Sequence, residues 1–244
     1  MAQTDEAERV RRSFAQVMTA IAKTIDHTGR TAMLNRVRSA IPHLAEATHY
    51  AQFLEEADDR IWSFTGLGWF YAGQSLWNEA EVWYESCFKF ATEHFGDRHP
   101  STATSLNNLA GLYYSMGQYD RALPLYEGSL EIRQSELGDR HPDTATSLNN
   151  LAGLYSSMGQ YDRALPLYEG ASEICQSELG DRHPDTATSL NNLAYLYSSM
   201  GQYDRALPLY EGAVDILEEV LGQEHPNTNA GKRNLQLLKE QMEN

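Results

Sequence analysis

Four His-Pro pairs recur along this chain, at His99, His141, His183 and His225, and histidine is the commonest side-chain ligand for a transition metal. Their spacing argues against that use. One pair opens each block of forty-two residues, so packed helical blocks would hold neighbouring histidines roughly 10 Å apart. The ligands of one metal lie about 2 Å from it. Positioning the loop before each helix is the reading that fits, and no metal is expected. Cys87 and Cys175 are the only cysteines and lack C-x-x-C spacing, which leaves them as small, partly buried side chains. Gly231-Lys232 has the ending of a phosphate-binding loop, but Pro226 stands where its first glycine belongs. Gly66-Leu67-Gly68 falls in a helical stretch, and neither serine nor cysteine has the context of a nucleophile. The chain reads as non-catalytic and without a cofactor.

The chemistry that remains is that of side-chain amides, placed by a long internal repeat. His141–Arg182 differs from His99–Arg140 at five positions and from His183–Glu224 at nine, with no gap. A period of this length marks a stacked array of supersecondary units. Within a unit, proline opens a first helix (Pro100), Gly117 ends it, Asp120 is placed to cap a second, and Gly138 closes that one. Leu106, Leu109, Ala110 and Tyr113 form the packed stripe of the first helix. Ala122, Leu125, Tyr126, Ser129 and Leu130 form that of the second. Pro124 lies early in the second helix, where a slight bend is expected and a break is not.

Opposite the first stripe lie Thr104, Asn107, Asn108, Gly111, Tyr114 and Ser115. Stacking therefore generates the rows Asn107/Asn149/Asn191, Asn108/Asn150/Asn192 and Gly111/Gly153/Tyr195. An amide both donates and accepts, so such a row can pair with the backbone of an extended peptide whatever its sequence. The other reading is that one asparagine of each pair bonds within the stack and the other meets water. Tyr114 and Tyr195 interrupt the small residues of the face and can wall a side-chain pocket. The acids Asp120, Glu127, Glu131, Glu136 and Asp139, with Arg121, Arg133 and Arg140, are read as a solvated outer surface.

The array divides as residues 57–98, 99–140, 141–182 and 183–224, together 57–224. The first unit is diverged and carries all four tryptophans, Trp62, Trp69, Trp77 and Trp83. They serve either as filling against unlike neighbours or as an exposed aromatic surface. Residues 1–56 read as a helical lead-in. It has a helix from Thr4 to about Asp26 packed through Val10, Phe14, Val17, Met18, Ile21 and Ile25 and ended by His27-Thr28-Gly29. A second helix is expected over Thr31–Ala40, and a third from Pro42 to about Glu56. Residues 225–244 form one further helix whose Lys232, Arg233, Lys239, Glu240 and Glu243 give the last hairpin a charged cover. In the array, Ser172 replaces the apolar Leu130 and Val214 and marks a weak spot.

A net charge of −15 argues against nucleic acid or an anionic membrane as partner. No apolar run approaches the ~20 residues that cross a bilayer. The N-terminal MAQTDEAERVRRSFAQ interleaves acids with arginines and lacks the apolar core of a secretion signal. A cytoplasmic protein is expected, with a monomer favoured.

The order Leu106, Leu109, Ala110, Tyr113, Ala122, Tyr126 resembles the tetratricopeptide repeat, with the usual tryptophan replaced by Leu106, Leu148 and Leu190. The period, with HP-x-TA-x-SLNNLA-x-LY and Y-x-x-A-x-PLYE, resembles the kinesin-light-chain type. Ala40–Cys87, AIPHLAEATHYAQFLEEADDRIWSFTGLGWFYAGQSLWNEAEVWYESC, is similar to the segment joining NB-ARC signalling ATPases to their C-terminal repeats in bacterial, especially cyanobacterial, proteins. The resemblance implies an all-α, right-handed superhelical solenoid of antiparallel helix pairs. Its first helices would line a concave groove for a peptide or protein segment, with the second asparagine row, Asn108/Asn150/Asn192, on the peptide backbone. It also implies the sensor or scaffold part of a larger ATPase. The groove positions carry no lysine, which departs from grooves that bind acidic peptides. The alternative function is a structural spacer or self-association element built from duplicated repeats.

Overall fold

The computed structural model of the protein describes residues 2–25 and 31–243. Among them the secondary structure is entirely helical. The helices are α1 (Ala2–Ala22), α2 (Thr31–Val37), α3 (Ile41–Ala47), α4 (Ala57–Ala72), α5 (Trp77–Phe95) and α6 (Pro100–Ser115). They continue as α7 (Tyr119–Leu137), α8 (Pro142–Ser157), α9 (Tyr161–Ile174), α10 (Pro184–Ser199), α11 (Tyr203–Leu221) and α12 (Pro226–Glu243). The fold is an all-α solenoid of antiparallel helix pairs with further helices at its ends. It divides into two compact units, residues up to Ile132 and residues from Arg133 on.

The hairpins share one set of local devices. His99, His141 and His183 are N-caps with extended backbone, and the Nδ1 of each His-Pro histidine, His225 included, accepts the N–H two residues on, at Ser101, Asp143, Asp185 and Asn227, over 3.1–3.2 Å. The following proline takes the first helical position, where its missing N–H costs nothing. The histidines thus work on the backbone. Gly96, Gly138, Gly180 and Gly222 end the second helices with φ near +90°, a region that disfavours a side chain. The carbonyls of Gly96, Gly138 and Gly180 then accept the hydroxyls of Thr102, Thr144 and Thr186 at 2.8 Å. Entry into the second helices differs from expectation. Helix α9 follows Gln160 and α11 follows Gln202, so Asp162 and Asp204, with Asp120 of α7, lie inside the first turn rather than at the cap. There they face the positive end of the helix, while Gln118, Gln160 and Gln202 accept a guanidinium from three residues on. The prolines at 124, 166 and 208 leave their helices unbroken.

In the first unit, α1 packs through Ala15, Met18 and Ala22, whereas Val10 and Val17, expected on that stripe, are 64% and 56% exposed. The reason is close approach. A Cβ at Gly66 of α4 would sit 3.0 Å from the Cβ of Ala22, a distance that admits only small residues. Helix α1 stops at Ala22, and the expected stop at His27-Thr28-Gly29 lies outside the described residues. The second expected helix is α2 followed by a 3-10 turn at Arg38–Ala40. The third is cut short, with α3 passing into a 3-10 segment (Thr48–Phe53) and an extended Leu54. Thr48 contributes to that tightening by donating its hydroxyl to the Ala45 carbonyl at 2.8 Å. Trp69, Tyr71 and Trp83 pack on the cluster of Met18, Ile25, Leu34, Val37, Ile41 and Leu44, which is the filling role for two of the tryptophans. Trp62 meets Trp69 edge-on, ring centroids 5.4 Å apart.

In each unit a three-residue clasp ties one hairpin to the second helix before it. Arg121 lies 3.8 Å over the Tyr113 ring, and both it and the Tyr113 hydroxyl donate to Glu81 at 2.8 Å. In the second unit Arg205 lies 4.0 Å over Tyr197, whose hydroxyl donates to Glu169 at 2.7 Å. The guanidinium completes a cation–π contact and an ion pair at once.

Three further features particularise the second unit. Arg133, expected on the solvated surface, is 5% exposed: its guanidinium donates to the Asp143 carbonyl at 2.9 Å and to Ser147 at 3.0 Å. Ser172 is buried, and α9 passes after Ile174 into a π turn (Cys175–Leu179), whereas α11 stays α-helical through Leu221. On α12, Lys232 and Lys239 turn back to pair with Glu218 and Glu211 of α11 at 2.6 and 3.1 Å. The expected charged cover is thereby spent partly on α11, and Leu237 and Met242 stand exposed.

Candidate functional site

The first-helix face opposite the packed stripe carries every candidate residue, and the two units show it separately. In the first unit, Asn107 and Asn108 of α6 are half-buried and Tyr114 is exposed. Asn108 has no intramolecular partner among the described residues. The Tyr114 ring lies 5.9 Å from that of Tyr119. Beneath the face, the Tyr126 hydroxyl comes within 3.5 Å of where a Cβ on Gly111 would stand. Burial, and then the neighbouring Tyr114 phenol, push the Tyr126 pKa up.

In the second unit, α10 lies between α8 and α12, and Asn149, Asn150, Asn191 and Asn192 are half-buried on this face. The two asparagines of a pair differ in role. Asn191 accepts through Oδ1 from the Nδ2 of Asn234 on α12 at 3.1 Å. Asn234 stands one period after Asn192, so a second-row amide reaches to a first-row amide of the preceding helix. The equivalent rung from Asn192 to Asn149 is open. Asn149 Oδ1 is buried without a partner, and Asn192 makes no intramolecular hydrogen bond among the described residues. A buried amide oxygen left unpaired costs about 1–3 kcal/mol, which a donor from outside can recover.

The third row changes character along this unit. At Gly153 the face is bare, and a Cβ there would meet the Tyr168 hydroxyl at 3.3 Å. At the next rung Tyr195 is 57% exposed. Tyr210 beneath it has its pKa pushed up to about 12, by burial first and by the Tyr195 phenol second. Leu237, one period after Tyr195 and 51% exposed, was missed by sequence reasoning. Extending the forty-two-residue alignment into α12 would have placed it on the row.

Elsewhere, Trp83 walls an open cleft of about 590 Å³ in the first unit with Phe64, Phe90, Glu46 and His49. Phe64 and Phe90 are almost wholly buried, so its floor offers little apolar surface. Cys87 is buried with its thiol pushed up to about 12 by burial, and burial raises Cys175 as well, so both are held as unreactive thiols. No described helix is long and apolar enough to cross a membrane.

Comparison with known proteins bears on the fold. The sequence profile of the tetratricopeptide repeat matches residues 59–127, 101–171 and 148–219. No curated protein matches the chain by sequence. Among solved structures, BtubC (BKLC) from P. vanneervenii aligns with a TM-score of 0.65 and 24% identity, over 90% of this chain and 94% of its own. A kinesin-light-chain-like protein of Podosopora anserina with nearly identical TPR-like repeats aligns at 0.61 and 24% identity, over 87% and 96%. The apo form of RapI aligns at 0.61 and 20% identity, over 75% and 65%. At these identities the likeness is one of fold.

Proposed function

This chain belongs to the tetratricopeptide-repeat family, and we propose that it is a non-catalytic interaction module holding an extended peptide or partner segment along its first-helix face. The observation that carries this reading is the pair of unspent amides, Asn108 in one unit and Asn192 in the other, beside the orphaned Asn149 oxygen. Asn191 fits the bonding-within-the-stack role, since Asn234 already holds it. The site comprises Asn107, Asn108, Tyr114, Asn149, Asn150, Asn191, Asn192 and Tyr195, with the second-row asparagines on the peptide backbone. Residues 1–56 serve as lead-in, 57–224 as four hairpins and 225–244 as closing helix. The test uses short random peptides displayed on phage and selected on the wild-type chain. Changing Asn108, Asn150 and Asn192 together to Ala weakens the selected peptides by roughly tenfold or more. Unchanged affinity in that triple variant overturns the groove reading.

The similarity of Ala40–Cys87 to ATPase linkers supports a finer reading, in which the module is the sensing part of a larger bacterial, cytoplasmic signalling ATPase. The coding sequence upstream of Met1 tests it. An in-frame phosphate-binding loop bears it out, and an in-frame stop codon overturns it.

A further inference from the structure

Helix α10 carries Asp185, Asn192 and Tyr195 on one stripe, since steps of seven and three residues keep to one helix face. Helix α8 repeats the stripe as Asp143, Asn150 and Gly153. By the rise of an α-helix, the carboxylates lie roughly 10 Å to one side of the asparagine row, and the Gly153/Tyr195/Leu237 row about 4.5 Å to the other. Both carboxylates face water, with Asp143 and Asp185 side chains 56% and 70% exposed. Tyr195 and Leu237 give this face two large exposed apolar side chains on adjacent rungs, and Gly153 puts no side chain on the rung before them.

Resting on the groove reading above, we infer the chemistry of the peptide: an extended segment in which a large apolar side chain is flanked by lysine or arginine. An extended chain sends successive side chains to opposite sides. With its backbone on the asparagine row, one side reaches Tyr195 and Leu237 and the other reaches Asp143 and Asp185. A basic side chain is long enough to cover most of the wider gap, and it meets a protein of net charge −15. Arg233 on α12 sets the opposite sign at the far end, so the basic residue lies toward α8 and α10.

The phage selection decides this through peptide composition. On wild type, recovered peptides are enriched in a large aliphatic or aromatic residue with lysine or arginine one or three positions away. Tyr195→Gly, which installs the residue found at Gly111 and Gly153, and Leu237→Ser each keep the helical circular-dichroism signal. Together they weaken a synthetic selected peptide by roughly tenfold in fluorescence polarisation. Changing Asp143 and Asp185 to Asn weakens it about three- to tenfold and flattens its salt dependence. Acidic peptides, or affinity indifferent to Tyr195→Gly and Leu237→Ser, overturn the inference while the groove reading stands, provided the asparagine variant still loses binding. If the asparagine variant binds unchanged, both fall. A wild-type dimer that Tyr195→Gly dissolves assigns the face to a second copy and also overturns the inference.

Discussion

At the scale of single residues, the most informative side chain outside the candidate site is Arg133. It is a buried arginine whose guanidinium donates to the Asp143 carbonyl and to Ser147, and burial, partly offset by the Asp143 carboxylate, lowers its pKa. The next copies place Cys175 and Leu217 at the same position, so the packing accepts an apolar side chain there. Ser147 would not be stranded by its loss, because Ser189, its equivalent, bonds the Thr186 carbonyl at 2.8 Å. Replacing a buried charge by a well-packed apolar group is commonly neutral or stabilising. Arg133→Leu is therefore expected to leave urea stability unchanged or raise it by up to ~2 kcal/mol. Arg133→Ala, which opens a cavity, is expected to lower it by ~2–4 kcal/mol. A drop with leucine as large as with alanine would mean that the two hydrogen bonds outweigh the burial of charge. Charge type alone placed this residue on the solvated surface. The alignment with Cys175 and Leu217 held the contrary signal, since a position that accepts leucine and cysteine is a packed one.

At the scale of elements, repetition made the hairpins legible, and contacts between dissimilar segments hid the rest. The His-Pro starts, the closing glycines and the Leu106-to-Tyr113 stripe stand where the period placed them, because each depends on its own neighbours in sequence. The asparagine rows were legible as positions, but which amides are spent needed the contact between α10 and α12. The lead-in was legible only as helical. Its outward Val10 and Val17 go with the close approach of Ala22 to Gly66, a fact of tertiary packing, and its 3-10 segment at Thr48 with a local side-chain hydrogen bond. Helix α9 shows the same limit within the array. Ser172 was visible as an odd residue, whereas the π turn a few residues on was not. The core beside them is small, with Ala145, Ala171, Ile174 and Cys175 as its buried members. Ser172→Val, which copies Val214, is expected to stabilise the chain by about 1 kcal/mol in urea unfolding. The reverse change, Val214→Ser, is expected to cost ~1–3 kcal/mol. Loss of stability in Ser172→Val would show that the space is already filled.

At the scale of the whole molecule, buried phenols recur from the first hairpin to the last, and they make stability a function of alkaline pH. Burial, followed by the Glu169 carboxylate, pushes Tyr197 up to about 12, and burial pushes Tyr210 up to about 12. Tyr84, Tyr113 and Tyr126 move in the same direction, burial being the largest cause in each. A free tyrosine ionises near 10. Below that pH the folded and unfolded chains hold these protons equally, so the phenols add no pH dependence. Between about pH 10 and 12 the unfolded chain releases protons that the folded chain keeps. The unfolded state then binds fewer protons, and stability falls as pH rises. Thermal melts should therefore show no loss from the phenols below pH 10 and a falling midpoint above it. The near-ultraviolet tyrosinate signal separates this from general charge repulsion. The tyrosinate signal of the buried phenols appears only together with loss of the helical signal. A single smooth titration of every tyrosine with helicity intact would show that the clasps and the buried phenols do not hold their protons in the folded chain.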